Sequence, residues 1–559
     1  MGREILGDAG RRRAMSPVAD GLSMPRIIRC LTMQRRDFLR LSGPVAAALA
    51  WRQLFAITTP AQPVLQGWTE SADVFTLGVA SGEPLPTSVV IWTRLAPKPL
   101  QPDGGMPPQP VPVRWEVAND PRFAQIVRQG EALALPGRAH SVHVEVQGLE
   151  SDRIYHYRFI AAGQASSVGR TRTAPDPEAR VQRLRLALGS CQHYEQGYFT
   201  AHRDIARSDV DAVVFVGDYI YETDTIARLR LRRHVSGLMD DLSLERFRVH
   251  HASYKLDADL RACHEAHPWL LTWDDHEVRN DYDGDHDNFG MSTEELLKVR
   301  TDGYRAYFEH LPISPTRAPV GANAQMHTRY SWGRLADIWL LDTRQYRSEQ
   351  ACTSLPTSFW RDKMLWHCDA TAAPERTMLG HEQEQWLARS LATSRGAWRI
   401  IAQSTQMTPG TFKPPGAEAL RYSDGWDAFP AARQRLMAAI AQPRVPDVVV
   451  LSGDVHRHVA GNLRLNPNDP QSAIIASEFA TSSISSNALS EFLHGWMKAS
   501  NPDLLYLRGD ERGYALIDVT PEQMRCDFRA TAHPVRADSR FHTQASYVVE
   551  RGVAGPRPA

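Results

Sequence analysis

No uninterrupted apolar run in this sequence is long enough to cross a bilayer as a helix, so the chain is not read as membrane-spanning. An excess of charge is lacking as well, because Lys+Arg and Asp+Glu both number 64. A bulk role on nucleic acid or on an acidic membrane surface normally leaves a basic surplus, and the balance argues against both. It leaves room for a local anionic substrate, since one pocket needs only a few metals or arginines. Cysteine is scarce. Cys30, Cys191, Cys263, Cys352, Cys368 and Cys526 are spread over 559 residues, too thinly for a disulfide scaffold. What is present is globular in character: 42% hydrophobic, 23% charged and 8% aromatic residues, in a chain long enough for at least two domains.

The N-terminal part, residues 1–60, reads as an extension followed by an address. From Met33 the order is MQRRDFLRLSGPVAAALA. Paired arginines Arg35 and Arg36 stand before Phe38 and Leu39, and a short apolar stretch runs from Leu41 to Ala50. That is a basic region followed by an apolar one. The twin arginine predicts export of a folded chain by the twin-arginine machinery to the periplasm or beyond. Ala48-Leu49-Ala50 fits a cleavage site, and Met33 reads as the start of the signal. The alternative is a disordered basic tail. Export places the mature chain where disulfides persist. Cys352 and Cys368 share one irregular stretch, and a disulfide between them and two unpaired thiols both stay open.

Residues 70–175 carry short alternating runs such as SVVIWTRL, VPVRWEVAND and IYHYRFIAAG, separated by turn signals and without helical stretches. Strands at this spacing predict an all-β sandwich of immunoglobulin or fibronectin type. Tyr155 and Tyr157 alternate on one strand face and read as core. TAPDPEAR, residues 173–180, reads as a linker. Beyond it, residues 180–550 alternate between short apolar runs and amphipathic stretches. The apolar runs are Leu184–Leu188, Ala212–Val216, Trp269–Thr272, Ile338–Leu341, Ile400–Ala402 and Val448–Leu451. Helices are expected over Leu244–Ala266, Thr293–His310, His381–Thr393 and Ala431–Gln442. Continuous apolar runs fit strands buried on both faces, and the alternation predicts a layered α/β domain.

Polar residues gather where those runs end: GSCQHYEQGY, GDYIYE, TWDDHEVRND, LDTRQYR, AQSTQMTPG and SGDVHRH. In an open α/β sheet, ligands bind beyond the carboxyl ends of the strands, so six such clusters at one edge would build one site. In GDYIYE, Asp218 offers a carboxylate able to bridge two cations, and Tyr221 a phenol three residues on. A helix cap and a core tyrosine are the bland alternative. In TWDDHEVRND, Asp275 beside His276 offers a ligand next to a proton donor, with Asn280 close behind. Asp281, Asp283 and Asp285 read as a solvated acidic loop. In SGDVHRH, Asp454 and His456 alternate after a Gly turn and suit a transition metal. Cys191 has three readings: inert core thiol, thiolate ligand, or a nucleophile with His193 or His276 as base. Arg279 and Arg344 are candidate phosphate clamps, with ion pairs to nearby acids as the alternative.

Together GDYIYE, TWDDHE, LDTRQYR and SGDVHRH, in this order behind FTLGVASGEPLPTSVVIWTRL, resemble the PhoD-type alkaline phosphatase family. The likeness runs from about Phe75 to Val549. It implies the calcineurin-like metallophosphoesterase fold, a four-layer α/β/β/α core. It implies that Cys191, Asp218 and Tyr221 hold a ferric ion, with His456 or Asp454 completing the shell. Asp218 would bridge to a calcium-type site near Asp275 and Asp454, with Asn280 a further ligand. His276 matches the histidine of the superfamily's Gly-Asn-His-Glu motif. Asp275 stands where the superfamily has Asn, and Gly453-Asp454 where it has Gly-His. These exchanges favour a harder cation such as calcium over zinc. Gln403 or Ser404 lies where another histidine is usual. The implied reaction is hydrolysis of phosphate monoesters and diesters by metal-activated water, with Asp218, His276, Arg279 and Arg344 at the chemistry. A phospholipase D-like diesterase on the same scaffold, a noncatalytic phosphate- or metal-binding protein and a Cys-His hydrolase are the rivals.

Overall fold

The strand Ala212–Val216 shows how the core is made. Its side chains alternate between faces. Val213 and Phe215 pack with Ile205, Phe247, Tyr254, Leu260 and Tyr307 from four helices. Ala212, Val214 and Val216 pack with Ile338, Ile400, Val449 and Leu451 of a second sheet. Both faces are therefore dry, which is why the run is apolar without interruption. The second sheet repeats the logic. Val449 and Leu451 face the first sheet, while Val448 and Val450 pack with Leu387, Leu436 and Ile440 from the helices His381–Ala392 and Pro430–Ile440.

The computed structural model describes residues 73–225, 230–232, 241–352, 364–366, 368–413 and 419–559. The twin-arginine stretch and its expected cleavage point lie outside the described residues. No helix among those described is long and apolar enough to cross a membrane.

The first sheet has ten strands. Its centre is Leu184–Gly189, Ala212–Val216 and Pro268–Thr272, mutually parallel. One flank is antiparallel: Glu511–Val519, Gln523–Ala532, His542–Glu550 and Arg557–Pro558. In the seven-stranded second sheet, Ala336–Leu340, Trp398–Thr405, Val448–Gly453 and Ile474–Ala480 run parallel. All six sequence-expected strands are present, within a few residues at their ends.

The helix Thr293–His310 has the expected bounds because its start is a capping box. Ser292 Oγ accepts from the Glu295 amide at 3.3 Å, and the Glu295 carboxylate accepts from the Ser292 amide at 2.9 Å. The expected helix Leu244–Ala266 is two helices, Leu244–Lys255 and Ala258–Ala266. Asp257 breaks it, because its carboxylate caps the second helix by accepting from the amides of Asp259 and Leu260. Thr200–Ala206 and Glu491–Ser500 are helices the sequence pattern did not single out.

The N-terminal β region is divided between two sheets. Val111–Ala118, Ile126–Ala134, Ile154–Ala161, Gln164–Ala165 and Gly169–Arg172 form a five-stranded sheet. Val79–Gly82, Ser88–Arg94 and Ser141–Gln147 instead complete the ten-stranded sheet, where Val79–Gly82 lies parallel against Pro268–Thr272. The stretch 173–180 thus connects regions that share a sheet, and Gly67–Ala559 form one compact unit. Tyr155 and Tyr157 are buried. Cys352 and Cys368 form a disulfide with Cα atoms 6.0 Å apart.

Candidate metal centre

The carboxyl ends of both parallel strand sets meet. A Cβ on Gly453 would lie 2.3 Å from Ser190 Oγ and 3.1 Å from a Val216 methyl, so only glycine fits where Val448–Gly453 approaches the other sheet. Gly217 is equally constrained: its φ is 110°, and a Cβ would meet Asp274 Cβ at 2.5 Å. The chain then reverses through left-handed backbone at non-glycine residues: Cys191 (φ 59°), Asp218 (57°), Asp281 (55°), Asp454 (63°) and His456 (52°). Such conformations cost about 1–3 kcal/mol each and persist where the surroundings enforce them, commonly at functional sites.

Three groups of potential ligand atoms result, each within 4.8 Å of one another: Cys191, Asp218 and His456; Asp218, Asp275 and His276; and Asp275, Asp281 and Asp424. Asp218 joins the first two, and Asp275 the last two. Asp218 is buried, and its Oδ1 has no hydrogen-bond partner among the described residues. Its Oδ2 accepts from Tyr221 Oη at 2.8 Å. Tyr221 Oη lies 3.2 Å from His456 Nε2 and accepts from Ser486 Oγ at 2.9 Å. The other His456 nitrogen contacts the Asn487 carbonyl. Asp454 accepts from Thr405 Oγ1 at 2.5 Å.

The electrostatics describe an acid cluster in want of cations. Burial pushes Asp218 well above the carboxylate range; His276 opposes this, and Asp275, Asp274 and Glu277 add to it. Burial, with Asp218 and Asp454 nearby, raises the Cys191 thiol likewise. Burial and Asp424 bring Asp454 to about 6, against the pull of Arg344. Burial holds His456 at about 3, so its imidazole is neutral and free to ligate. His276 is the converse. Burial alone would lower it, but the Glu222, Asp275 and Asp218 carboxylates outweigh burial and hold it charged. A buried carboxylate with one unpartnered oxygen, beside a thiol, a phenol and a neutral imidazole, suits a transition metal, and the three-carboxylate group suits a hard divalent cation. The donor set therefore fits two neighbouring cations.

Each expected residue can now be placed. Cys191, Asp218, Tyr221, Asp275, His276 and His456 converge, with Asp454 beside them. Asn280 donates its amide to Glu222 Oε1 at 2.7 Å, at the edge of the group. Arg344 takes the ion-pair alternative. It is fully buried, donating to Asp274 Oδ1 at 2.5 Å and to both Asp424 oxygens at 2.8 and 2.7 Å, with Asp275 at 3.6 Å. Arg279 donates to Asp287 at 3.3 Å and lies over the Phe289 ring. Gln403 Oε1 accepts from Trp426 Nε1, and Ser404 meets Thr343, so both are engaged elsewhere. His458 packs on Phe528. The acidic loop departs from expectation. Asp285 is exposed, but Asp283 is buried against Arg347 and Asn288, and Asp281 joins the site.

Two contributors escaped the sequence reading. Glu222 accepts from His276 Nδ1 at 2.6 Å and fixes that ring, which lies against Tyr221 with centroids 4.0 Å apart and planes tilted by 33°. Its place inside GDYIYE was a usable signal. Asp424 offered none, because no apolar strand precedes RYSDGWD. It arrives through the short strand Arg421–Tyr422 and is held by Arg344, Arg347 and Gln350.

A family model for PhoD-like phosphatase matches residues 186–528, and one for the PhoD-like phosphatase N-terminal domain matches residues 61–175. Alkaline phosphatase D of Bacillus subtilis (strain 168) is 39% identical over 535 residues, covering 94% of this chain and 89% of that protein. A solved structure of PhoD aligns with a TM-score of 0.82 at 39% identity, covering 88% of this chain and 92% of that one.

Proposed function

Because the chain belongs to the PhoD-like phosphatase family, we propose that it is an exported, metal-dependent alkaline phosphatase acting on phosphate monoesters and diesters. Asp218 carries the proposal: one buried carboxylate, shared by two groups of ligand atoms, with an oxygen left unpartnered. We read the three cores as an α/β/β/α layering that brings two sheet edges to this residue.

Cys191, Tyr221 and His456 would hold ferric iron with Asp218, and Asp275, Asp281, Asp424 and Asp454 a calcium-type ion. Bound cations would supply charge neutralisation for the phosphoryl oxygens and acidify a water. The chain's own contribution is positional. Glu222 aims and charges His276, which presents a donor to the phosphoryl group or to the departing oxygen. The thiol and phenol would give up their protons on ligation, which burial alone opposes. The twin-arginine order Arg35–Arg36 supports export of a chain that has already taken up metal.

Replacing Asp218 by Asn should remove bound metal and nitrophenyl phosphate turnover together. Unchanged metal content with retained turnover would refute the assignment. Elemental analysis of the holoprotein tests iron and calcium, and a panel of monoester, diester and phosphatidylcholine tests substrate range. Tight phosphate binding without hydrolysis would favour a binding protein instead.

A further inference from the structure

Asp424 reaches the three-carboxylate group from outside both large sheets, so something other than those sheets must hold it there. Its Oδ1 accepts from Arg344 Nη1 at 2.8 Å, Arg347 Nη1 at 2.7 Å and Gln350 Nε2 at 3.0 Å. Among the described residues its Oδ2 accepts from Arg344 alone, at 2.7 Å. Three donors occupy Oδ1 and leave Oδ2 with a lone pair for a cation.

The donor and the backbone behind Asp424 both lead to one covalent link. Gln350 also donates its amide to Asp283 Oδ2 at 3.1 Å, and it lies two residues before Cys352. Asp424 follows the strand Arg421–Tyr422, which pairs with Met364–Leu365, three residues before Cys368. Cys352 and Cys368 are disulfide-bonded. The bond therefore closes a ring that runs from Gln350 through Asp424 and the two-stranded ribbon to Cys368. Cys368 is anchored in turn, because its carbonyl accepts from the Thr371 amide at 3.1 Å and from Thr371 Oγ1 at 2.7 Å. Apolar packing at this point is slight. Ala351, Leu365 and Cys368 form a small cluster of their own, apart from the three large cores. A ribbon of two short strands is marginal without a further tie.

We propose that the Cys352–Cys368 disulfide is a positioning device for the second cation: by tying Gln350 to the ribbon behind Asp424, it keeps that carboxylate in place in the Asp275–Asp281–Asp424 group. This rests on the two-cation reading and deepens it. Asp424 is absent from the Cys191–Asp218–His456 group, so that group should keep its cation when the disulfide is lost.

The test compares the parent holoprotein with Cys352→Ser/Cys368→Ser and with the parent reduced by a trialkylphosphine. Cys352 is exposed, so the reagent reaches the bond. The S–S bond opens to two thiols, and the phosphine leaves as its oxide with oxygen taken from water. Each form is dialysed at graded free Ca2+ and assayed for bound metals and nitrophenyl phosphate turnover. Half-saturating Ca2+ should rise about tenfold or more, the usual cost of losing an outer partner of a metal ligand. The transition-metal content, and kcat at saturating Ca2+, should match the parent. Half-saturation within about twofold of the parent, below that cost, would overturn the proposal. So would a kcat lowered at every Ca2+ concentration with half-saturation unchanged, the mark of a merely structural bond. If the serine variant does not fold, the reduced parent decides alone. A parent that retains no Ca2+ would refute the calcium-type reading instead. Hydrogen exchange at the amides of residues 421–424 would still decide the role of the disulfide, with faster exchange in the reduced chain supporting it and equal exchange overturning it.

Discussion

Removing the Arg344 guanidinium would take the ion-pair partner from buried Asp274, leave Asp424 to Arg347 and Gln350, and withdraw a cation 3.6 Å from Asp275. Arg344→Met should therefore destabilise the fold by about 3–5 kcal/mol in denaturant titration, the range for breaking a buried ion pair. A phosphate clamp would instead raise KM at unchanged stability. Lys255 poses the opposite problem. It is buried over the Trp92 ring, 4.4 Å from its centroid, and burial lowers its pKa from 10.5 to about 7. The sign follows from proton counting. Between the folded value and the free one, the unfolded chain binds a proton that the folded chain does not, so stability rises with pH across that window. Below it both states are charged, and the folded state carries the whole burial cost. Lys255→Met should therefore raise Tm most near about pH 6 and progressively less toward about pH 10. A Tm difference that does not vary with pH would show that Lys255 carries no such cost.

At the scale of elements, the strand-to-turn junctions hold the site. Gly217→Ala would drive a methyl to 2.5 Å from Asp274 Cβ and strain a φ of 110°. Both effects displace the turn presenting Asp218. The expected result is loss of metal and at least about a hundredfold drop in kcat, since a misplacement of about 1 Å can cost that much. Retained metal would refute the role of the turn. These junctions were legible in the sequence because a doubly buried strand has no polar positions, so GDYIYE and SGDVHRH stand out where the apolar runs stop. Asp424 was not legible, because it reaches the site from a loop and a two-residue strand that carry no periodic signal. Asp281 and Asp283 were misjudged for a related reason. Acid-rich loops are usually solvated, and only the tertiary placement of Arg347 and Asn288 reveals a buried partner. The helix broken at Asp257 shows the same limit at closer range, since an Asp within an amphipathic run becomes a cap only when the chain turns there.

For the whole molecule, the N-terminal β region shares a sheet with the rest of the chain, which its turn-rich sequence does not reveal. Alternating strands look alike whether they build their own sandwich or extend a neighbour's sheet, because pairing partners leave no local trace in the sequence. Here Val79–Gly82 covers the edge of Pro268–Thr272, the strand that leads into Asp274, Asp275 and His276. Trp92 and Arg94 of the adjoining strand reach into the helical layer, donating to the Glu309 carbonyl and contacting His310. A chain beginning near residue 180 would expose that parallel edge, which is a template for aggregation. It would also leave Glu309 and His310 without these partners. Such a truncation should be insoluble, or bind no metal if it is recovered. Co-expression of residues 73–175 as a separate chain should restore soluble, metal-loaded protein, because β-strand pairing needs no covalent link. A truncated chain that stays monomeric, binds metal and turns over nitrophenyl phosphate would show that the ten-stranded sheet closes without its N-terminal strands, and that the catalytic region is an autonomous folding unit.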